Sequence, residues 1–140
     1  MTLPCNRVNF ITLAVADLAR ARAYYEALGW QVESANDTIA FYAMDGAKFA
    51  LFARDGLARE TGRDGSALQT GGMTLAQNHP DRAAVDAAHA HALACGATSV
   101  RAPFETAWGG YSCYVADPDG HLWEFAFNPF DPLDPEGRIA

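Results

Sequence analysis

The strongest constraint on this chain is that it writes one order of elements twice. "VNFITLAV" (8–15) alternates in character and is rich in β-branched residues, which predicts a strand. "DLARARAYYEALG" (17–29) predicts a helix: Asp17 can cap it, Leu18, Ala21, Tyr25 and Leu28 share one face, and Gly29 ends it. "WQVESA", "TIAFYAM" and "KFALFAR" read as three strands, separated by the hairpin signals "ND" at 36–37 and "DG" at 45–46. A β-α-β-β-β unit is therefore expected over about 8–54.

After "DGLARETGRDGSALQTG" (55–71), expected to be a linker with a short helical turn at "GLARE", the order returns over about 72–128. "MTLAQ" (73–77) predicts a short strand. "NHPDRAAVDAAHAHALACG" (78–96) predicts a helix capped by Asn78 or His79, with Pro80 in its first turn and Val85, Ala88, Ala92 and Cys95 as its apolar stripe. "TSVRAPF", "GYSCYVA" and "HLWEFAF" supply three more strands, the last two joined by "DPDG". Residues 129–140, rich in Pro and Asp, read as a tail.

Composition narrows the class of partner. With 140 residues, half of them hydrophobic, the chain can bury a real core as one domain, 1–140. A net charge of −7 argues against nucleic acid, whose phosphates need clustered cations. Cys5, Cys95 and Cys113 are odd in number and widely spaced, which suits neither a disulfide framework nor a zinc knuckle. The opening "MTLPCNRVNF" does not read as a signal peptide, and no apolar run is long enough to span a bilayer. The expectation is a cytoplasmic protein with no membrane partner. Fingerprints of other chemistries, GxGxxG after a strand, GxxxxGK[ST], GxSxG and HExxH, are not found.

"ITLAVADLARARAYYEALGW" (11–30) and "GGYSCYVADPDGHLWEFAFNP" (109–129) resemble the opening strand and helix and the closing hairpin of the vicinal oxygen chelate superfamily. That superfamily includes glyoxalase (lactoylglutathione lyase), bleomycin-resistance proteins and extradiol dioxygenases. The resemblance covers roughly 8–129 and implies an α+β fold of two tandem βαβββ units forming a curled mixed sheet. It further implies a cup that holds a ligand, commonly completed by a second copy, hence a homodimer. Enzymes of the superfamily hold one divalent metal there, with ligands from the first and last strand of each unit, typically His or Gln and then Glu.

Those four places can be checked one by one. Strand alternation puts Ile11, Leu13 and Val15 under the helix and Phe10, Thr12 and Ala14 on the inner face. Phe10 then stands at the first ligand place. Aligning "GMTLA" with "FITLA" puts Gly72 at the second unit's equivalent, and aligning "DGAKFALF" with "DGHLWEFA" puts Ala50 opposite Glu124. Only Glu124 keeps a donor, whereas a tightly held zinc needs at least three protein ligands. No metal or other cofactor is therefore expected, and a weakly held divalent ion is the alternative. His79 reads as a cap or surface residue, and His89 and His91 lie on different helix faces. His121 should face the helix side or solvent, and whether His79 or His121 replaces a lost ligand stays open.

Glu124 should lie beside Leu122 and Ala126 on the inner face, with Cys113 or Tyr114 across the hairpin. Phe10, Tyr42, Phe52, Trp108, Tyr111 and Tyr114 are expected to ring it, with Thr12, Ala50 and Cys113 completing the lining. Such a ring around one carboxylate suits a small apolar, flat or cationic molecule. The alternative is an enzyme of lyase, isomerase or dioxygenase type with Glu124 as catalytic acid–base or as one ligand of a weak metal. A third reading makes Glu124 structural, bonded to backbone or to Tyr114.

Overall fold

The computed structural model describes residues 6–139. Its elements are β1 (Phe10–Val15), α1 (Leu18–Leu28), β2 (Val32–Ala35), β3 (Ile39–Ala43), β4 (Lys48–Ala53), α2 (Arg54–Thr61), β5 (Thr74–Asn78), α3 (Arg82–Cys95), β6 (Thr98–Glu105), β7 (Tyr111–Ala116) and β8 (Leu122–Phe127). They form two four-stranded mixed sheets, ordered β1-β4-β3-β2 and β5-β8-β7-β6. In both, the first and last strands of the unit run parallel and the remaining pairs antiparallel. The twice-written βαβββ order is therefore present, and the chain divides between Gln69 and Thr70. The segment after β4 is more ordered than a linker: α2 occupies its first half, and a single 3₁₀ turn follows at Gly65–Ala67.

In the first unit, the Asp17 side chain accepts from the Arg20 amide at 3.1 Å to start α1, and Gly29, at φ 115°, ends it. Its core is aromatic. Phe49 is fully buried among Tyr25, Trp30 and Tyr42, with ring centroids 5.2, 5.0 and 6.2 Å away. The Tyr42 hydroxyl donates to Glu26 Oε2 of α1 at 3.3 Å, so Tyr42 belongs to the helix-facing side of the sheet.

In the second unit, α3 starts two or three residues later than its sequence suggests. Asp81 is the cap, accepting from the Ala84 amide at 2.8 Å, while Asn78 ends β5. His79 is not a surface cap either. It is half-buried, edge-on to Phe125 at 5.7 Å, and its Nε2 is buried with no hydrogen-bond partner among the described residues. Burial pushes its pKa down, so the ring favours the neutral form. The hairpin between β7 and β8 is closed by Asp117, itself buried, whose Oδ1 accepts from the amides of Asp119 and His121, both at 2.9 Å. Beyond β8, Leu133 and Ile139 form an isolated antiparallel bridge, and a cavity of about 520 Å³ lies between this segment and residues 76–79.

Two buried acids give the fold a defined alkaline limit. Burial, reinforced by Glu26, pushes the Tyr42 phenol up to about 12, and burial pushes the Cys113 thiol up to about 11. Both folded values lie above those of the unfolded chain, so the native state binds more protons between the two values and stability falls there as pH rises. The stability these groups contribute is complete below about pH 8.5 and should be lost progressively towards pH 12. Denaturation midpoints measured from pH 8 to 12 should therefore decline, and Tyr42→Phe should flatten the upper part of that decline. A profile identical in the variant would remove Tyr42 from the account.

Candidate functional site

Ladder register assigns each side chain to a face. In the second unit, Glu124 lies opposite Tyr114 on β7 and opposite Ala76 on β5, and Tyr114 lies opposite Arg101 on β6. Ala76, Glu124, Tyr114 and Arg101 thus form one row across all four strands. Alternation gives the neighbouring rows on this face, with Leu122 on one side and Ser112 and Ala126 on the other. The face is opposite the one packed on α3, since Tyr111, one face over, donates to Asp86 Oδ1 of α3 at 2.7 Å.

Glu124 is held by two hydroxyls. Ser112 Oγ donates to its Oε2 at 2.9 Å and Tyr114 Oη donates to the same oxygen at 3.1 Å. Oε1 accepts no hydrogen bond among the described residues. The carboxylate is therefore oriented through one oxygen while the other stays available. Burial and the bond to Glu124 push the Tyr114 phenol pKa up, so Tyr114 remains a donor to the carboxylate through the neutral range. Phe104 stacks on Tyr114 with centroids 6.4 Å apart and planes at 24°.

In the first unit, Phe10, Thr12, Phe41 and Ala50 share the open face, by the pairings Thr12↔Ala50 and Phe41↔Ala50. Phe10 is 46% exposed and meets Phe41 edge-on at 5.8 Å. Phe52 is on this face too, but at its far end, beneath α2. A Cβ on Gly56 would collide with the Phe52 ring and would lie 2.8 Å from Thr38 Cγ2, which is why a glycine stands there.

Three expected lining residues point the other way. Tyr42, Tyr111 and Cys113 all face the helices: Tyr42 bonds Glu26, Tyr111 bonds Asp86, and Cys113 is fully buried opposite Phe125. The aromatic that the first sheet does present is Phe41, one residue from Tyr42. Trp108 lies in the loop before β7, half-exposed, its indole against Gly110, where any Cβ would strike it. The register also moves the second unit's counterpart of Phe10 from Gly72 to Thr74, because Phe10 pairs with Lys48 as Thr74 pairs with Leu122. Sequence reading missed Ser112, Phe104 and Arg101. Ser112 could have been found by counting the hairpin back from "DPDG".

A family model described as the Glyoxalase/Bleomycin resistance protein/Dioxygenase superfamily matches residues 7–125. The chain belongs to that superfamily. It is similar to a solved structure described as a glyoxalase-related enzyme from Fulvimarina pelagi, at 34% identity over 97% of this chain and 98% of the other, with a TM-score of 0.90. A lactoylglutathione lyase from Agrobacterium tumefaciens shares the fold, at 21% identity, 89% and 96% coverage and a TM-score of 0.70. So does a glyoxalase/bleomycin resistance protein/dioxygenase from Nocardioides, at 22% identity, 90% and 85% coverage and a TM-score of 0.71. No curated protein matches the chain.

The divalent metal of the superfamily's enzymes finds no ligand set among the described residues. Among the described residues, no three of His, Cys, Asp and Glu come together where they could hold a metal ion. The groups flanking Glu124 on its face in this sheet are two hydroxyls already donating to it, two alanines and a leucine. His91 approaches Cys95 at 3.8 Å on the surface of α3, but they are two residues, and His89 bonds Ser99 instead. No helix of the described residues is long and apolar enough to cross a membrane.

Proposed function

We propose that this glyoxalase/bleomycin-resistance-type protein binds a small, largely apolar or cationic molecule without a protein-bound metal, using Glu124 as the polar anchor. The observation that carries this reading is the Glu124 carboxylate itself, fixed through Oε2 by Ser112 and Tyr114 while Oε1 has no partner among the described residues. A bare carboxylate oxygen beside aromatic rings attracts a positively charged or N–H-bearing group, and the rings favour a flat apolar body. In the first unit, Phe10 and Phe41 offer aromatic surface of the same kind, on the side of the sheet that also carries Thr12 and the buried Ala50.

The rival reading, an enzyme with Glu124 as catalytic acid–base, draws on the same unpartnered oxygen, because a proton can be exchanged there. One variant separates the two. Glu124→Gln keeps the shape and one acceptor oxygen but loses the charge, so binding of benzylamine, followed by calorimetry, should weaken about 10–100-fold. Affinity unchanged in this variant would overturn the anchor role. A reaction abolished in the variant with ligand affinity retained would establish the enzyme instead.

We also propose a homodimer. Val8 and Phe10 in the first unit and Met73, Val100, Trp108 and Phe130 in the second are exposed large apolar residues that a second copy could cover. Sedimentation equilibrium should give twice the 15.0 kDa chain mass, and a monomer at micromolar concentration would overturn it.

A further inference from the structure

The row through Glu124 carries both signs of charge. Two strands away from the carboxylate, on the same face, stands Arg101, paired with Tyr114 between the two irregularities of β6, and Tyr114 in turn is paired with Glu124. The Arg101 guanidinium lies 3.4 Å from the centre of the Phe104 ring, and Phe104 stacks on Tyr114. Arg101 is exposed and has no carboxylate partner among the described residues. The other arginines that stack or pair in this unit are neutralised: Arg82 is held by Glu105 at 2.7 Å and Arg138 lies 4.0 Å from Asp134. An arginine resting on an aromatic ring has its position restricted while its donors stay available, which suits it to a planar carboxylate or similar anion.

We infer that the ligand of this face is a small zwitterion, its cationic end on Glu124 Oε1, its anionic end on Arg101 and a flat body reaching across Tyr114. The inference rests on the reading of Glu124 as anchor and goes beyond it by adding a second, opposite pole. Strands in a sheet are about 4.8 Å apart, so the Cα rows of β6 and β8 are separated by roughly 10 Å. A molecule carrying its two charges a ring's length apart matches that separation better than one whose charges are adjacent. An α-amino acid, whose charges are adjacent, would reach one pole only. The occupant is therefore a molecule with an ammonium or amidinium at one end and a carboxylate at the other. The Arg101 charge already reaches the middle of the row, easing down the Tyr114 phenol that burial and Glu124 push up.

The test uses three probes on the full chain, followed by calorimetry at low salt: para-(aminomethyl)benzoate, benzylamine and benzoate. The zwitterion should bind at least about tenfold more tightly than benzylamine, and benzoate most weakly, as expected for one added charge-assisted pair. Arg101→Gln should bring the zwitterion's affinity down to that of benzylamine, with the thermal midpoint lowered only by the loss of an exposed stack on Phe104. Arg101→Lys should recover part of the loss. Equal affinity for zwitterion and benzylamine, or a zwitterion affinity untouched by Arg101→Gln, overturns the second pole and leaves the Glu124 anchor standing. Failure of all three probes to bind overturns both, as it would if a second copy of the chain covers this face.

Discussion

Phe49→Ala is expected to destabilise the protein by about 3–5 kcal/mol, the cost of removing a buried aromatic ring whose neighbours cannot close the gap. The neighbours here are themselves rings. Tyr25, Trp30 and Tyr42 each lie within 6.2 Å of Phe49, centre to centre, and none can change rotamer without disturbing another. Tyr42 is further tethered by its bond to Glu26, and Tyr25 sits on α1, so the cavity would open between helix and sheet. Urea denaturation gives the value directly, and Phe49→Leu should recover more than half of it. A loss below about 1 kcal/mol would mean that the aromatic cluster is not what holds α1 to its sheet.

Asp117→Ala should cost about 2–4 kcal/mol by a different route. The buried carboxylate accepts from two backbone amides at 2.9 Å in a half-buried turn, and its loss strands both donors. Asp117→Asn keeps an acceptor oxygen in place and should cost distinctly less. The effect also reaches the ligand face. Asp117 sets where the chain reverses, and that reversal places Tyr114 opposite Glu124. In the alanine variant, benzylamine affinity should fall even in the fraction that remains folded, whereas Phe49→Ala, confined to the first unit's core, should leave it close to normal. If Asp117→Ala and Asp117→Asn are equally stable, the side chain does not organise the hairpin.

The repeated βαβββ order was legible because it rests on signals of short range: alternation in the strands, Asp17 and Gly29 around α1, and "DG" and "DPDG" at the turns. Facing was harder, because one residue of slip exchanges the two sides of a strand. Phe41 and Tyr42 are both aromatic and adjacent, so composition cannot choose between them. The "DG" hairpin can: Ala43 pairs with Lys48, which puts Phe41 on Ala50's side and Tyr42 on Phe49's. The same count across "DPDG" joins Ser112 and Tyr114 to Glu124 and sends Tyr111 and Cys113 to the helix. The two-residue shift from Gly72 to Thr74 did no harm to facing, since strand periodicity is two. Arg101 and Phe104 were hidden for another reason: β6 breaks register twice against β7, and no simple alternation passes through such a strand.

The parallel pairing of first and last strands has a consequence for how the chain reaches this structure. To form β1–β4 the chain must bring together residues 38 apart, Phe10 and Lys48, and to form β5–β8 residues 48 apart, Thr74 and Leu122. Loop-closure entropy grows only logarithmically, so these two searches differ by only about 0.2 kcal/mol. Chain topology thus gives neither unit a head start. The order of folding falls to local chemistry, an aromatic cluster in one unit and a carboxylate-tied turn in the other. Both closures are long compared with a hairpin's, so folding should proceed on the slower timescale typical of mixed domains with non-local strand pairs.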